Sequence, residues 1–208
     1  MPLTSLALPL AYVGATLGVV MVVPQIIRTV RHPQLPGVSA LSWALVALAC
    51  SAWLTYGIRT GTIPQIPGNM LLVSGAWAIV LLVPHPASRA RRALVLGTAT
   101  AALVTVACGL PATAGGYLAF AIGLTAVWPQ LVESVQRRRS GAPSGLSLTT
   151  WSLRAISQTC WLSYAVLAVD LPVAFSAGVA LSTTAFITSL EASRRMPATE
   201  RELVCAPA

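Results

Sequence analysis

Read for its hydrophobic and polar positions, the chain is a series of long apolar runs separated by short polar breaks. Residues 1–27 carry no charged side chain, and neither do 60–84, 93–132 or 171–190. A helix needs about 20 apolar residues to cross the hydrocarbon of a bilayer. Divided at its charges and at Gly/Pro turns, the chain predicts seven spans, at about 7–27, 39–58, 64–83, 93–110, 115–133, 148–168 and 171–190. The run 93–132 is too long for one span, and Gly109-Leu110-Pro111-Ala112-Thr113-Ala114-Gly115-Gly116 splits it, because Gly and Pro punctuate helices. The expected fold class is an all-α membrane protein of seven transmembrane helices.

Composition narrows the picture. Of the 208 residues, 56% are hydrophobic and 9% charged; a soluble domain is about 25% charged. A disordered or solvating basic chain needs low hydrophobicity, and a soluble core needs more polar surface than this chain carries. All 13 basic residues are arginine, and the net charge is +8. Basic residues mark every second loop: Arg28 and Arg31, then Arg89, Arg91 and Arg92, then Arg137, Arg138 and Arg139, then Arg194 and Arg195. Cytoplasmic loops retain such residues, so the amino terminus is expected outside and the carboxyl terminus inside. The basic balance is therefore a topology signal and no nucleic-acid partner is expected. The amino terminus lacks a positive n-region, so no cleaved signal peptide is expected. Cys50, Cys108 and Cys160 read as small apolar fillers, with no CxxC or CxxH pair anywhere.

The chain also repeats itself. Val23-Pro24-Gln25 recurs as Trp128-Pro129-Gln130, and Gly37-Val38-Ser39 as Gly145-Leu146-Ser147. Tyr12 and Gly18 recur as Tyr117 and Gly123. Trp43, Trp53 and Tyr56 recur as Trp151, Trp161 and Tyr164, and Pro64 and Ser74 as Pro172 and Ser182. The expected organisation is a three-helix unit over 7–83, a linker and lone helix over 84–111, a second three-helix unit over 112–190, and a tail over 191–208. A three-span unit ends on the side opposite its start. One extra span therefore restores the second copy to the orientation of the first, and parallel repeats with a site between them are a recurrent transporter plan.

Paired Pro-Gln elements, a basic loop, Gly-x-Ser, Trp-x-x-Tyr and a proline-started third helix resemble the PQ-loop and SWEET superfamily in its seven-span form. The resemblance covers about residues 7–190. It implies passage of a small solute by alternating access: sugars in SWEETs and SemiSWEETs, amino acids in lysosomal PQ-loop exporters. A bacterial inner membrane is the expected location.

Several side chains are candidates for the mechanism. Pro24 and Pro129 bend their helices by removing an N–H and crowding a carbonyl four residues back. With Gln25 and Gln130 beside them, they suit a hinge at the inner end. The four-proline inner gate of SWEETs is incomplete, since the second helix of each unit lacks its proline. In SemiSWEETs a Trp at the place of Trp53 and Trp161 lines the pocket, and an indole face stacks on a sugar. Tyr56 and Tyr164, one turn further out, suit an outer gate or an interfacial belt. Asn69 stands where the family carries an asparagine, and its amide serves hydroxyls. The second copy departs here, with Ala177 next to Ser176. Arg154 has no counterpart in the first unit and shares a helical stripe with Gln158 and Trp161; it either meets a solute or snorkels to the interface. Ser39, Ser147, Ser51 and Thr159 are weaker candidates, because a hydroxyl readily bonds back to its own helix.

No acid lies within a span, whereas proton-coupled carriers place Asp, Glu or His there. Uncoupled transport is therefore expected, with no cofactor and no metal. The absence of lysine excludes a retinal Schiff base. An enzyme would need a catalytic or metal-binding cluster within the spans, which the sequence does not offer. The remaining alternatives are a carrier of amino acids or small carboxylates and a ligand-binding receptor of the same plan without flux. The expected partners are a small solute and the lipid bilayer. Oligomeric state is open, and a monomer holding both units suffices for a pocket.

Overall fold

The structure is a computed structural model, and it describes residues 3–31, 40–140 and 148–195. Among the described residues there are seven α-helices: α1 (Ala7–Arg31), α2 (Ala40–Thr60), α3 (Gln65–Leu82), α4 (Arg89–Gly109), α5 (Ala112–Ser140), α6 (Leu148–Ala168) and α7 (Leu171–Arg195). Five contain stretches long and apolar enough to cross a bilayer: Ala7–Pro24, Ala40–Thr60, Gln65–Leu82, Arg89–Gly109 and Leu171–Ser189. α5 adds the shorter apolar stretch Ala112–Ala126. α6 is diluted by Arg154, Gln158 and several hydroxyl side chains.

Four helices differ from the predicted spans, among them α7, which continues past 190 to Arg195. α1 runs through Pro24 to Arg31, and α5 continues to Ser140. A proline within a membrane helix is tolerated where its surroundings satisfy the freed backbone groups, and a polar helix end continues readily beyond the hydrocarbon. α4 starts at Arg89, ahead of its apolar run, because the Ser88 hydroxyl caps it by accepting from the Arg91 N–H at 3.2 Å.

The first helix of each half packs on the second helix of the other, α1 on α6 and α5 on α2. Within the halves α3 lies against α1 and α2, and α7 against α5 and α6. α4 packs chiefly on α2 and is fastened at both ends by arginine. At its start Arg92 donates to the carbonyls of Val80, Leu81 (3.3 Å) and Val83 (2.8 Å), where α3 ends. At its finish Arg59 donates to the carbonyls of Ala107 (2.5 Å) and Leu110 (2.8 Å). A guanidinium suits a helix C-terminus because it answers both orphan carbonyls and the negative end of the dipole.

The α2–α3 and α6–α7 turns share one closure. The Thr62 N–H donates to the Gly57 carbonyl at 2.9 Å, and the Asp170 N–H donates to the Ala165 carbonyl at 2.8 Å. This is the Schellman arrangement, which needs a left-handed residue just before the donor. Gly61 fills that place in the first turn, with φ +70°; Val169 fills it in the second, with φ 56°. We call the side of the molecule bearing these turns the tyrosine end. There Ala7, Ala11, Tyr56, Tyr164, Ala165 and Val173 form a buried cluster. We call the opposite side, where α1 and α5 finish and α2 and α6 begin, the loop end.

Candidate functional site

Between the halves lies a cavity of about 220 Å³, lined by α1, α2, α3, α6 and α7. Its α1 wall is built from small residues, Gly14, Ala15 and Gly18, with Val19 below them. Glycine at position 14 permits a close approach: a Cβ there would stand 3.0 Å from Trp161 Cδ1 and 3.1 Å from its Nε1, a tight contact that the indole would have to ease. The Ser157 hydroxyl donates to the Gly14 carbonyl at 2.8 Å and joins α6 to α1 beside the cavity. Small residues and a buried polar bond of this kind are how membrane helices hold together without a hydrophobic driving force.

Trp53 from α2 and Trp161 from α6 line the cavity below the tyrosine end. Each sits edge-to-face with its own tyrosine: Trp53 with Tyr56 at 5.6 Å and 87°, Trp161 with Tyr164 at 5.7 Å and 86°. The tyrosines then cross between the halves. The Tyr56 hydroxyl donates to Asp170 Oδ1 at 2.7 Å, and the same oxygen accepts from the Val173 N–H at 3.3 Å. Tyr164 Oη and Thr62 Oγ1 lie 3.4 Å apart, a looser contact than an ordinary hydroxyl pair. Gly116 lets Tyr56 reach this position, since a Cβ there would fall 2.8 Å from Tyr56 Cε2 and 2.6 Å from Pro172 Cβ.

The polar groups are unequally shared. α3 gives Gln65 and Asn69; α7 gives Val173, Ser176 and Ala177. The Asn69 Nδ2 donates to the Gln65 carbonyl at 2.8 Å. Only the amide nitrogen can serve a carbonyl, so Oδ1 is left to accept from elsewhere. Gln158 and Ser157 extend the polar side along α6.

Of the residues singled out in the sequence, the cavity brings together Trp53, Asn69, Gln158, Trp161 and Ser176. Tyr56 and Tyr164 are buried, and each lies against a residue of the other half. Arg154 is not among the lining residues; its guanidinium lies 5.7 Å over the Trp151 ring, and its Nε has no hydrogen-bond partner. Pro24 lies inside α1, away from the cavity lining. The side chains of Gln25, Pro129 and Gln130 lie outside the described residues, as do Ser39 and Ser147. Ser51 and Thr159 bond back to their own helices, on the carbonyls of Ala47 and Ala155 at 2.7 and 2.9 Å.

Sequence reasoning missed three contributors. Gln65 is buried against the cavity, and the proline before it reads only as a helix start. Ser157 gives no sign of its reach to α1. Asp170 stands in a turn, and only its alignment with Thr62, 108 positions earlier like Tyr56 and Tyr164, connects it to the tyrosines.

No protein-family model matches the sequence, and neither does any curated protein. Among solved structures, a eukaryotic SWEET transporter is similar, with a TM-score of 0.75 at 14% sequence identity, over 91% of this chain and 98% of that one. Helix order, length and packing therefore give this chain the fold of a SWEET transporter, a multi-pass membrane architecture.

Proposed function

We propose that this chain is a membrane transporter that carries a neutral sugar of monosaccharide size by alternating access, without ion coupling. The observation that carries the reading is the cavity's chemistry: two indoles, three amides and no charged side chain among its lining residues. Indole faces stack on the C–H faces of a sugar, and amides serve its hydroxyls. An amino acid or carboxylate would bring a full charge into a site without an opposing one, at a cost of several kcal/mol. The volume, about 220 Å³, falls below the range of about 300–1,000 Å³ for sites of drug-sized ligands, which favours a solute no larger than a monosaccharide. The likeness of fold to a SWEET transporter supports the transporter part of this reading.

The contacts Tyr56–Asp170 and Tyr164–Thr62 hold the tyrosine end together, which supports exchange of solute through the loop end. Passage requires those contacts to part while the loop end closes, with Pro24 and Pro129 as the bending points of α1 and α5. The arginine pattern puts the loop end in the cytoplasm. The carboxylate of Asp170 serves the closure and does not line the cavity, which favours uncoupled movement.

Uptake by proteoliposomes tests the reading. Labelled D-glucose, D-galactose, D-mannose and D-fructose are offered beside labelled leucine and lactate. Saturable entry of at least one sugar, with neither leucine nor lactate entering, is expected. Entry of leucine or lactate in preference to every sugar contradicts it.

A further inference from the structure

We infer that Gln65 is a specificity-determining residue, whose side-chain oxygen accepts a hydrogen bond from one hydroxyl of the solute in the cavity. The inference rests on the proposed sugar reading and deepens it. Gln65 is the first residue of α3, one turn before Asn69 and on the same cavity wall. Its side chain is 4% exposed, and its Oε1 has no hydrogen-bond partner. A buried amide oxygen left unmade is costly, and native proteins rarely leave one so.

In this structure the oxygen is enclosed against α2, so the amide turns about its side-chain bonds to meet a solute. Gly57 packs against the Gln65 side chain, where a Cβ would stand 2.9 Å from Gln65 Cβ and 3.2 Å from Oε1. The backbone is pinned at both groups, its N–H on the Thr62 carbonyl at 3.0 Å and its carbonyl under the Asn69 amide at 2.8 Å. That last bond also turns Asn69 Oδ1 away from its own helix. α3 thus carries two amides on the cavity wall, about 6 Å apart along the helix axis. Two acceptors without a charge select a ligand that donates twice, as neighbouring hydroxyls do. The second half does not repeat the device: Val173 and Ala177 stand where Gln65 and Asn69 stand in the first, and both also line the cavity. A solute therefore binds with its donating edge toward α3, and on α7 it meets one hydroxyl, that of Ser176, between Val173 and Ala177.

Monofluorinated sugars test this, because replacing a hydroxyl by fluorine removes donation while keeping size. Binding to the purified full chain is followed by tryptophan fluorescence, first with D-glucose, D-galactose, D-mannose and D-fructose, then with the monofluorinated analogues of whichever binds. Wild type is compared with Gln65→Met, which keeps length without the amide, and with Gln65→Asn, which withdraws the oxygen by one methylene. At one ring position fluorine should weaken wild-type binding about tenfold or more, as sites built for a hydroxyl do. At that position the two variants should bind the hydroxyl and fluoro sugars alike. If every analogue weakens wild type and both variants equally, Gln65 does not read the hydroxyl and the inference fails while the sugar reading stands. If none of the four sugars binds wild type, the sugar reading fails and the inference with it.

Discussion

The α2–α3 and α6–α7 turns occupy equivalent places in the two halves, yet they are built from different materials. The first has Gly61 in the left-handed position and Thr62 facing the opposite tyrosine at 3.4 Å. The second has Val169 in that position and Asp170 facing its tyrosine at 2.7 Å. A β-branched residue at positive φ is uncommon, and the left-handed region costs an L-residue about 1–2 kcal/mol. The relaxed turn thus carries the loose bridge and the strained turn the tight one. Strain of this sort persists where surrounding contacts over-determine the backbone, and Asp170 supplies two, to Tyr56 and to the Val173 N–H. The tyrosine end is one strong latch and one weak contact, although the repeat suggests two equal ones.

Three predictions probe this inequality, the largest effect first. Tyr56→Phe should remove about 1.5–3 kcal/mol of closure, the range for a hydrogen bond to a carboxylate, and Tyr164→Phe less than about 1 kcal/mol. Amide hydrogen exchange across residues 165–173 reads the difference: about tenfold or more faster in Tyr56→Phe and little changed in Tyr164→Phe. Equal acceleration in both would break the comparison. Val169→Gly should raise stability by about 1–2 kcal/mol through relief of the left-handed valine, visible as a higher Tm in detergent, whereas Gly61→Val should lower it. A lower Tm for Val169→Gly would show that the valine is unstrained. The smallest effect is expected at Arg154. Its place over Trp151 and outside the cavity lining predicts that Arg154→Gln leaves the order of preference among solutes unchanged. A reordered preference would return Arg154 to the site.

The same inequality explains what the sequence disclosed. Helix count and order were legible because uncharged runs and Gly/Pro breaks are set by the bilayer, a constraint that acts on every residue. Trp53, Trp161 and Asn69 were legible because they belong to a repeated or family-like pattern, and the cavity brings them together. Gln65, Asp170 and Ser157 were not, because each differs from its counterpart in the other half: Val173, Thr62 and Ala49. Repetition reveals shared architecture and hides the single substitutions that make the halves unequal. Arg154, left between solute and interface by the sequence, shows a related limit. A helical stripe orders residues around an axis, but cavity depth decides which of them line it, and here the lining includes Gln158 without the arginine one turn away.

Counterflow tests the central claim most directly. Proteoliposomes loaded with unlabelled sugar of the kind that enters in the uptake assay are diluted into buffer holding a trace of the labelled form, with equal pH and salt on both sides. A carrier that alternates without coupling concentrates the label transiently inside, above its external level, before both equilibrate. The overshoot is expected for a neutral monosaccharide, and Trp161→Ala should reduce it. Labelled sugar that only equilibrates, or does not enter at all, would contradict it.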